Sequence, residues 1–432
     1  MTQTIDMPDL EAEYVASLDA TADHWWWEQR DELRGIRDYA TAKGANPSAA
    51  LVATIMRVLA QTPSSVHLPG IIGGGKGSLN LFAALVGMPG GGKGAATSAS
   101  QHGALFPQGD LFDRIPPGSA EGLITSYATK VKDKETGETT ISRERDSILF
   151  DVAEITDLGG QVGRSGSVLT GQLLRAFSGE SLGFAYVSDS GVTIPAHEYR
   201  FTMIAGVQPR NSGVLLGDGT VSAGLPHRFV WALADNPNAP DFSLDQLRAQ
   251  PITLHLPDWS SGQRMVEVEE SIIMEIGQQH VLRLRGSGEA LNGHRMYAQL
   301  KVAAAFAFMR GSKRIELGDW GLAADVMAHS DRARESCLDA LEQHRIEQAA
   351  ARGRDQGVAL VAASDAEAEA RAKKITSVRA AVIRQWEKQG KPSTWPPIRR
   401  ELRSNQREIA DQIAMDLARE IPGFPASDLF AA

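Results

Sequence analysis

Two stretches of the chain have the spacing G-x-x-x-x-G-K, one at residues 70–76 and one at 87–93. Glycines at that spacing let backbone N–H groups close around phosphate oxygens. The Lys then meets the β- and γ-phosphates, and a helix beginning at the Lys adds a favourable dipole. Neither copy is followed by the usual Ser or Thr, whose hydroxyl would ligate Mg²⁺; Gly77 and Gly94 stand there instead. The flanks separate the copies. The first follows "AQTPSSVHLP", which has two prolines and no strand pattern. The second follows "LNLFAALV", an apolar run of strand length, and precedes "AATSASQ", small residues suited to a close-packed helix. Gly87, Gly90, Gly91, Gly92, Lys93 and Gly94 are therefore the candidate phosphate cradle, and 70–77 reads as a flexible lead-in. Thr97 is a weaker source of the missing hydroxyl.

Phosphoryl transfer also needs carboxylates near the metal and the attacking water. "ILFDVAEI" ends an apolar run with Asp151, suited to Mg²⁺, and then Glu154, suited to polarising water. Glu121 in "PPGSAEGL" is a second candidate base, although an acid in the first turn of a helix is also simply good for the dipole. Gln208 in "IAGVQP" ends another apolar run, where its amide could sense the γ-phosphate. Arg228 in "GLPHRFVW" needs an anion: either a local acid or a nucleotide held by a neighbouring subunit, as an arginine finger. Arg164 lies in "GRSGS", a loop suited to a nucleic-acid backbone.

The elements that must hold these residues can be read from the apolar runs at 79–86, 147–153, 200–207 and 227–233. Alternating with small or amphipathic segments, they predict an α/β domain with a mainly parallel sheet. Residues 1–62 read as an N-terminal helical segment, 63–330 as the core with a helical lid, 331–374 as a charged helical linker and 375–432 as a separate helical module. The chain has 432 residues, net charge −9 and one Cys, so an intrachain disulfide is excluded and a reducing cytoplasm fits. Its first residues are polar and acidic, unlike a signal peptide, and no apolar run approaches the roughly 18 residues of a membrane span. Charge is uneven. Residues 371–408 hold eleven Lys or Arg against three Glu, a net of +8, leaving −17 for the remainder. A basic module on an acidic body suggests DNA as partner. Three short helical patterns with Arg399, Arg400, Arg403 and Arg407 near the last two suggest a helix-turn-helix or winged-helix fold, with an oligomerisation or partner-binding tail as the alternative.

Together "SLNLFAALVGMPGGGKG", "PPGSAEGL", "GRSGSVLTGQLLRAFSGESLGF", "HEYRFTMIAGVQP", "GLPHRFVW" and "HRMYAQLKVAAAFAFMRGSKRIELGDWGLAADVMAHS" resemble the P-loop helicase-like proteins of actinobacteria and their phages, over about 25–335. The resemblance implies a RecA-type core similar to replicative DNA helicases, binding of ATP with Mg²⁺, a homo-oligomer such as a hexameric ring, and work on DNA in replication. It also implies that Gly is tolerated at 94, and it carries over Lys93 and Asp151 ahead of Gln208 and Arg228, then Glu121 and Glu154. Val152 and Ala153 separate the two acids, a departure from an adjacent Asp-Glu pair that leaves the base open between Glu121 and Glu154. The expected function is an ATP-dependent DNA helicase or translocase. The alternative is a nucleotide-binding scaffold or replication initiator with little turnover.

Overall fold

A computed structural model describes residues 25–132, 139–158, 168–183, 192–236, 239–241, 243–262, 264–287, 292–425 and 429. The chain divides into two compact units, Met1–His344 and Arg345–Ala432.

The first unit opens with helices α1 (Asp31–Ala42) and α2 (Pro47–Gln61). Asn46 caps α2, its side-chain oxygen accepting from Ser48 N at 2.9 Å, and Pro47 occupies the first turn, where its missing N–H costs nothing. From Ser48 to Gln61 every residue of α2 is buried. It lies against the central sheet, so the N-terminal helices belong to the core and are not a separate segment. After the lead-in come β1 (Leu81–Val86), α3 (Lys93–Gly103), β2 (Asp113–Ile115), α4 (Ala120–Thr125), β3 (Ser147–Val152) and α5 (Val168–Ser178). Then follow β4 (Arg200–Val207), β5 (Phe229–Leu233), α6 (Glu270–Leu284) and α7 (Asn292–Met309).

The five strands form one parallel sheet in the order β5-β1-β4-β3-β2. Four of them are the apolar runs read from the sequence. All residues of β1, β4 and β5 are buried, as parallel strands covered on both faces require. Phe82 of β1 packs its ring against Phe177, Phe201 and Phe229, with centroids 6.0, 5.4 and 5.3 Å away. The fifth strand, β2, is short and mostly exposed, at the edge beside β3. The chain leaves β1 for the far edge of the sheet, while β5 lies on β1's other side. Strand β1 is thus the switch point, where open α/β sheets place ligands outside the carboxyl ends of the strands.

At the opposite end of the sheet the supports are polar and buried. The Arg200 guanidinium donates to the carbonyls of Thr62, Pro63 and Val66. Lys301 of α7 donates to the carbonyls of Asn80 and Phe177, both at 2.6 Å. Carbonyl dipoles replace water around both buried groups, and burial, then the Arg200 charge, pushes Lys301 well below the usual lysine range.

Helix α8 (Leu317–Lys388) runs for 72 residues, from the first unit into the second. The charged segment 331–374, read from the sequence as a helical linker, is part of this one helix. From 352 to 377 every residue of α8 is exposed. In the second unit, the end of α8 shares a core with α9 (Trp395–Glu401) and α10 (Ser404–Glu420), built on Val382, Trp395, Ile398, Ala414 and Leu417. Among the described residues from 345 onward there is no strand. No helix among the described residues is long and apolar enough to cross a membrane.

Candidate active site

The two G-x-x-x-x-G-K copies adopt different structures. The first is an exposed loop closed by a bridge between Leu68 and Gly77, with 2.9 and 2.8 Å hydrogen bonds, and no helix follows it. Its Lys76 ammonium lies 3.2 Å from His67 Nε2. Burial, then the Lys76 charge, pushes that imidazole down to about 4. The second copy joins β1 directly to α3, which begins at Lys93. Gly90 and Gly92 have φ of 79° and 84°, the left-handed region that glycine alone enters without strain. A Cβ on Gly91 would stand 1.8 Å from Asp235 Oδ1, and one on Gly92 would stand 2.6 Å from the Ala234 carbonyl. The loop is therefore pressed against the chain leaving β5, and Asp235 accepts from Met88 N at 3.3 Å. Asn46, besides capping α2, donates to the Asp235 carbonyl at 2.9 Å.

At Gly94 the situation is the reverse: a Cβ there would meet nothing within 4 Å. The missing hydroxyl is a chemical choice and not a steric necessity. Thr97 does not replace it freely, because its hydroxyl donates to the Lys93 carbonyl at 3.0 Å.

Lys93 Nζ reaches back over its own loop, donating to the carbonyls of Gly87 at 2.8 Å and Met88 at 3.3 Å, and lies 3.6 Å from Glu154 Oε2. Gly206 of β4 makes this approach possible. A Cβ there would stand 2.3 Å from the Ala153 carbonyl and 3.3 Å from Lys93 Cε. Glu154 is clasped by Gln208 at the exit of β4. Its two carboxylate oxygens accept from Gln208 N and Nε2, both at 3.1 Å. Glu154, Gln208 and Lys93 thus form one connected group, although 54 residues separate the first two. Asp151, near the end of β3, accepts from Arg114 Nε at 2.9 Å and Nη2 at 2.6 Å. Arg114 also donates to Gln101 of α3 at 2.7 Å. The loop glycines, Lys93, Thr97, Arg114 and Asp151 line a cleft of about 460 Å³.

No protein-family model matches the chain, and no curated protein matches it. A glycine cradle at a helix N-terminus, with a Lys folded over it and a cleft beyond, fits a chain of phosphates. A metal finds less. Asp151 is the acid lining the cleft, and among the described residues no group of three or more His, Cys, Asp or Glu stands ready for an ion.

Glu154 and Gln208 reach the site through Lys93 without lining the cleft, and neither Glu121 nor Arg228 lines it. Glu121 is exposed in the first turn of α4, whose Ser119 cap accepts from Gly122 N at 3.1 Å, and it does not line the cleft. Arg164 lies outside the described residues. Arg228 is 7% exposed and is held by neither a bonded acid nor open solvent. It donates to the Gly224 carbonyl at 2.7 Å and to His294 Nε2 at 3.1 Å, and its guanidinium stands over the Phe177 ring. Burial lowers the guanidinium to about 10, against the field of Glu180. Burial and the Arg228 charge lower His294 to about 4, which leaves its Nε2 free to accept at neutral pH. Neither the local acid nor the neighbouring nucleotide expected of it is bonded to Arg228 here; it is enclosed by its own chain. Arg228→Ala is expected to cost about 2–3 kcal/mol of stability, because buried acceptors lose their donors. Denaturant unfolding measures it, and a loss below about 0.5 kcal/mol, the range of ordinary surface positions, would contradict the enclosed role.

In the second unit Arg399 is bonded to Asp411 at 2.8 Å, and Asp411 also accepts from Trp395 Nε1 at 2.8 Å. Arg407 donates to the carbonyls of Leu402 and Arg400. Arg400 and Arg403 are exposed. Trp395, Arg399, Arg400, Arg407 and Asp411 border a hollow of about 330 Å³.

Proposed function

We propose that the chain is an ATPase with a RecA-type core that works on DNA as a helicase or translocase. One observation supports this most: the sheet order sets β4 between the strand that delivers Lys93 and the strand that delivers Asp151, with Glu154 and Gln208 clasped beside Lys93. The loop and Asp151 border the cleft, and Glu154 and Gln208 join it through Lys93, from three different strand ends. In this reading the loop N–H groups and Lys93 hold the phosphates. Glu154 accepts the proton of the attacking water, and Gln208 orients Glu154. Magnesium bound at Asp151 would supply neutralisation of phosphate charge. DNA contacts are assigned to the second unit, where α9 and α10 are separated by two residues in the manner of a helix-turn-helix pair. Assembly into a ring belongs to the same proposal, although Arg228 does not support it.

A second reading has its own observation. Gly94 offers no hydroxyl and Asp151 is already engaged by Arg114, which suits a protein that binds nucleotide and turns it over slowly. ATP hydrolysis measured without DNA, with single strands and with duplex separates the two. Stimulation by DNA supports the motor, while tight DNA binding with unstimulated, slow hydrolysis supports the scaffold. Deleting 376–432 is expected to spare DNA-free hydrolysis and flatten the salt dependence of DNA binding. If half of the eleven cations meet phosphates, the log–log slope of the full chain is about −5, and most of it should vanish. An unchanged slope would move the DNA site to the first unit.

A further inference from the structure

We propose that Arg114 is a second phosphate-binding cation of the cleft, which leaves Asp151 for nucleotide phosphate and so makes binding depend less on metal. This rests on the nucleotide reading above. Arg114 sits on β2, the edge strand next to β3, paired in register with Leu149. Its guanidinium borders the same cleft as Lys93 and the loop glycines. Two of its donors converge on a single oxygen, Asp151 Oδ2, and a third is on Gln101. Both members of the pair are about a third exposed, at 31% and 33%. An ion pair that wet is weak and readily exchanged. Both donors now share one carboxylate oxygen, whereas a phosphate offers the planar guanidinium fork two oxygens.

The need for a second cation follows from Gly94. Without a hydroxyl at that position a metal has one fewer protein arm, and Asp151 is the acid lining the cleft. Arg114 has two consequences there. With the cleft empty it neutralises Asp151. With nucleotide bound it brings positive charge to the phosphates and frees Asp151 for a metal ion. A purely structural Arg114 would do only the first.

The test is equilibrium binding of a fluorescent ATP analogue to the full chain, once in excess EDTA and once in saturating Mg²⁺. Arg114→Gln is expected to weaken binding in EDTA about 10-fold or more, the scale of one lost hydrogen bond to a charged group, and in Mg²⁺ by about threefold at most. Arg114→Lys should recover part of the metal-free affinity. Asp151→Asn should tighten metal-free binding, and adding Arg114→Lys to it should lose part of that gain, which a mere loss of negative charge beside the phosphates would not predict. Equal losses for Arg114→Gln in both buffers, no loss in either, or weaker metal-free binding by Asp151→Asn would each overturn the proposal. If the unaltered chain binds no analogue in either buffer, the nucleotide reading itself falls and takes this inference with it. If it binds and Arg114→Gln behaves like it, only the inference falls.

Discussion

Lys93→Ala is expected to lower ATP affinity by about 100-fold, whereas Lys76→Ala should stay within about twofold, judged by the strength of one hydrogen bond to a charged group. The two lysines end the same seven-residue motif, so the contrast is a test of context alone. Lys93 opens α3 and folds over carbonyls of a loop that carries the left-handed Gly90 and Gly92. Lys76 ends a loop closed on itself by the Leu68–Gly77 bridge and faces an imidazole. Titration of both variants with a fluorescent nucleotide measures the difference. Equal losses would mean that the loop at 70–77 also contributes to binding and that the choice of cradle is wrong.

Glu154→Gln is expected to leave ATP binding within about threefold and to slow hydrolysis by about 10³-fold, the usual contribution of a positioned general base. The amide keeps the size of the carboxylate but cannot take the proton from water. Glu121→Gln should leave both quantities nearly unchanged, since Glu121 is an exposed first-turn acid, whereas Glu154 lies 3.6 Å from Lys93 and is bonded to Gln208. Single-turnover hydrolysis with saturating ATP separates the chemical step from binding. If the two variants change places, the base belongs to α4, and the clasp of Glu154 by Gln208 is structural.

What could be read from residues alone follows from signal strength. Four strands were legible because a parallel strand buried on both faces is an unbroken apolar run, and Asp151 and Gln208 stand where such runs end. Strand β2 was not legible. "DRI" is polar, three residues long and at an edge, so it carries no period and no apolar surplus. Arg114 was lost with it, and with Arg114 the partner of Asp151. Asp235, the buttress of the glycine loop, was hidden for another reason. It lies in a Pro-rich stretch with no pattern, and the glycines reveal their tight contact only when the chain after β5 is brought against them. The clasp of Glu154 by Gln208 is likewise a product of strand order, which sequence spacing does not contain. Arg228 shows the opposite failure. A charged residue ahead of an apolar run invites an anion, but here carbonyls and a neutral imidazole take that place.

The exposed stretch of α8 from 352 to 377 has a thermodynamic character of its own. None of its side chains is buried, so its helicity rests on backbone hydrogen bonds, on its many alanines and on pairs such as Glu369 with Lys373. Gly353 and Gly357 weaken it by about 1 kcal/mol each relative to Ala. Such a segment follows helix–coil statistics, fraying and re-forming on the microsecond scale or faster. Its peptide bonds therefore come within reach of a protease by local opening, at a free-energy cost well below that of melting either hydrophobic core.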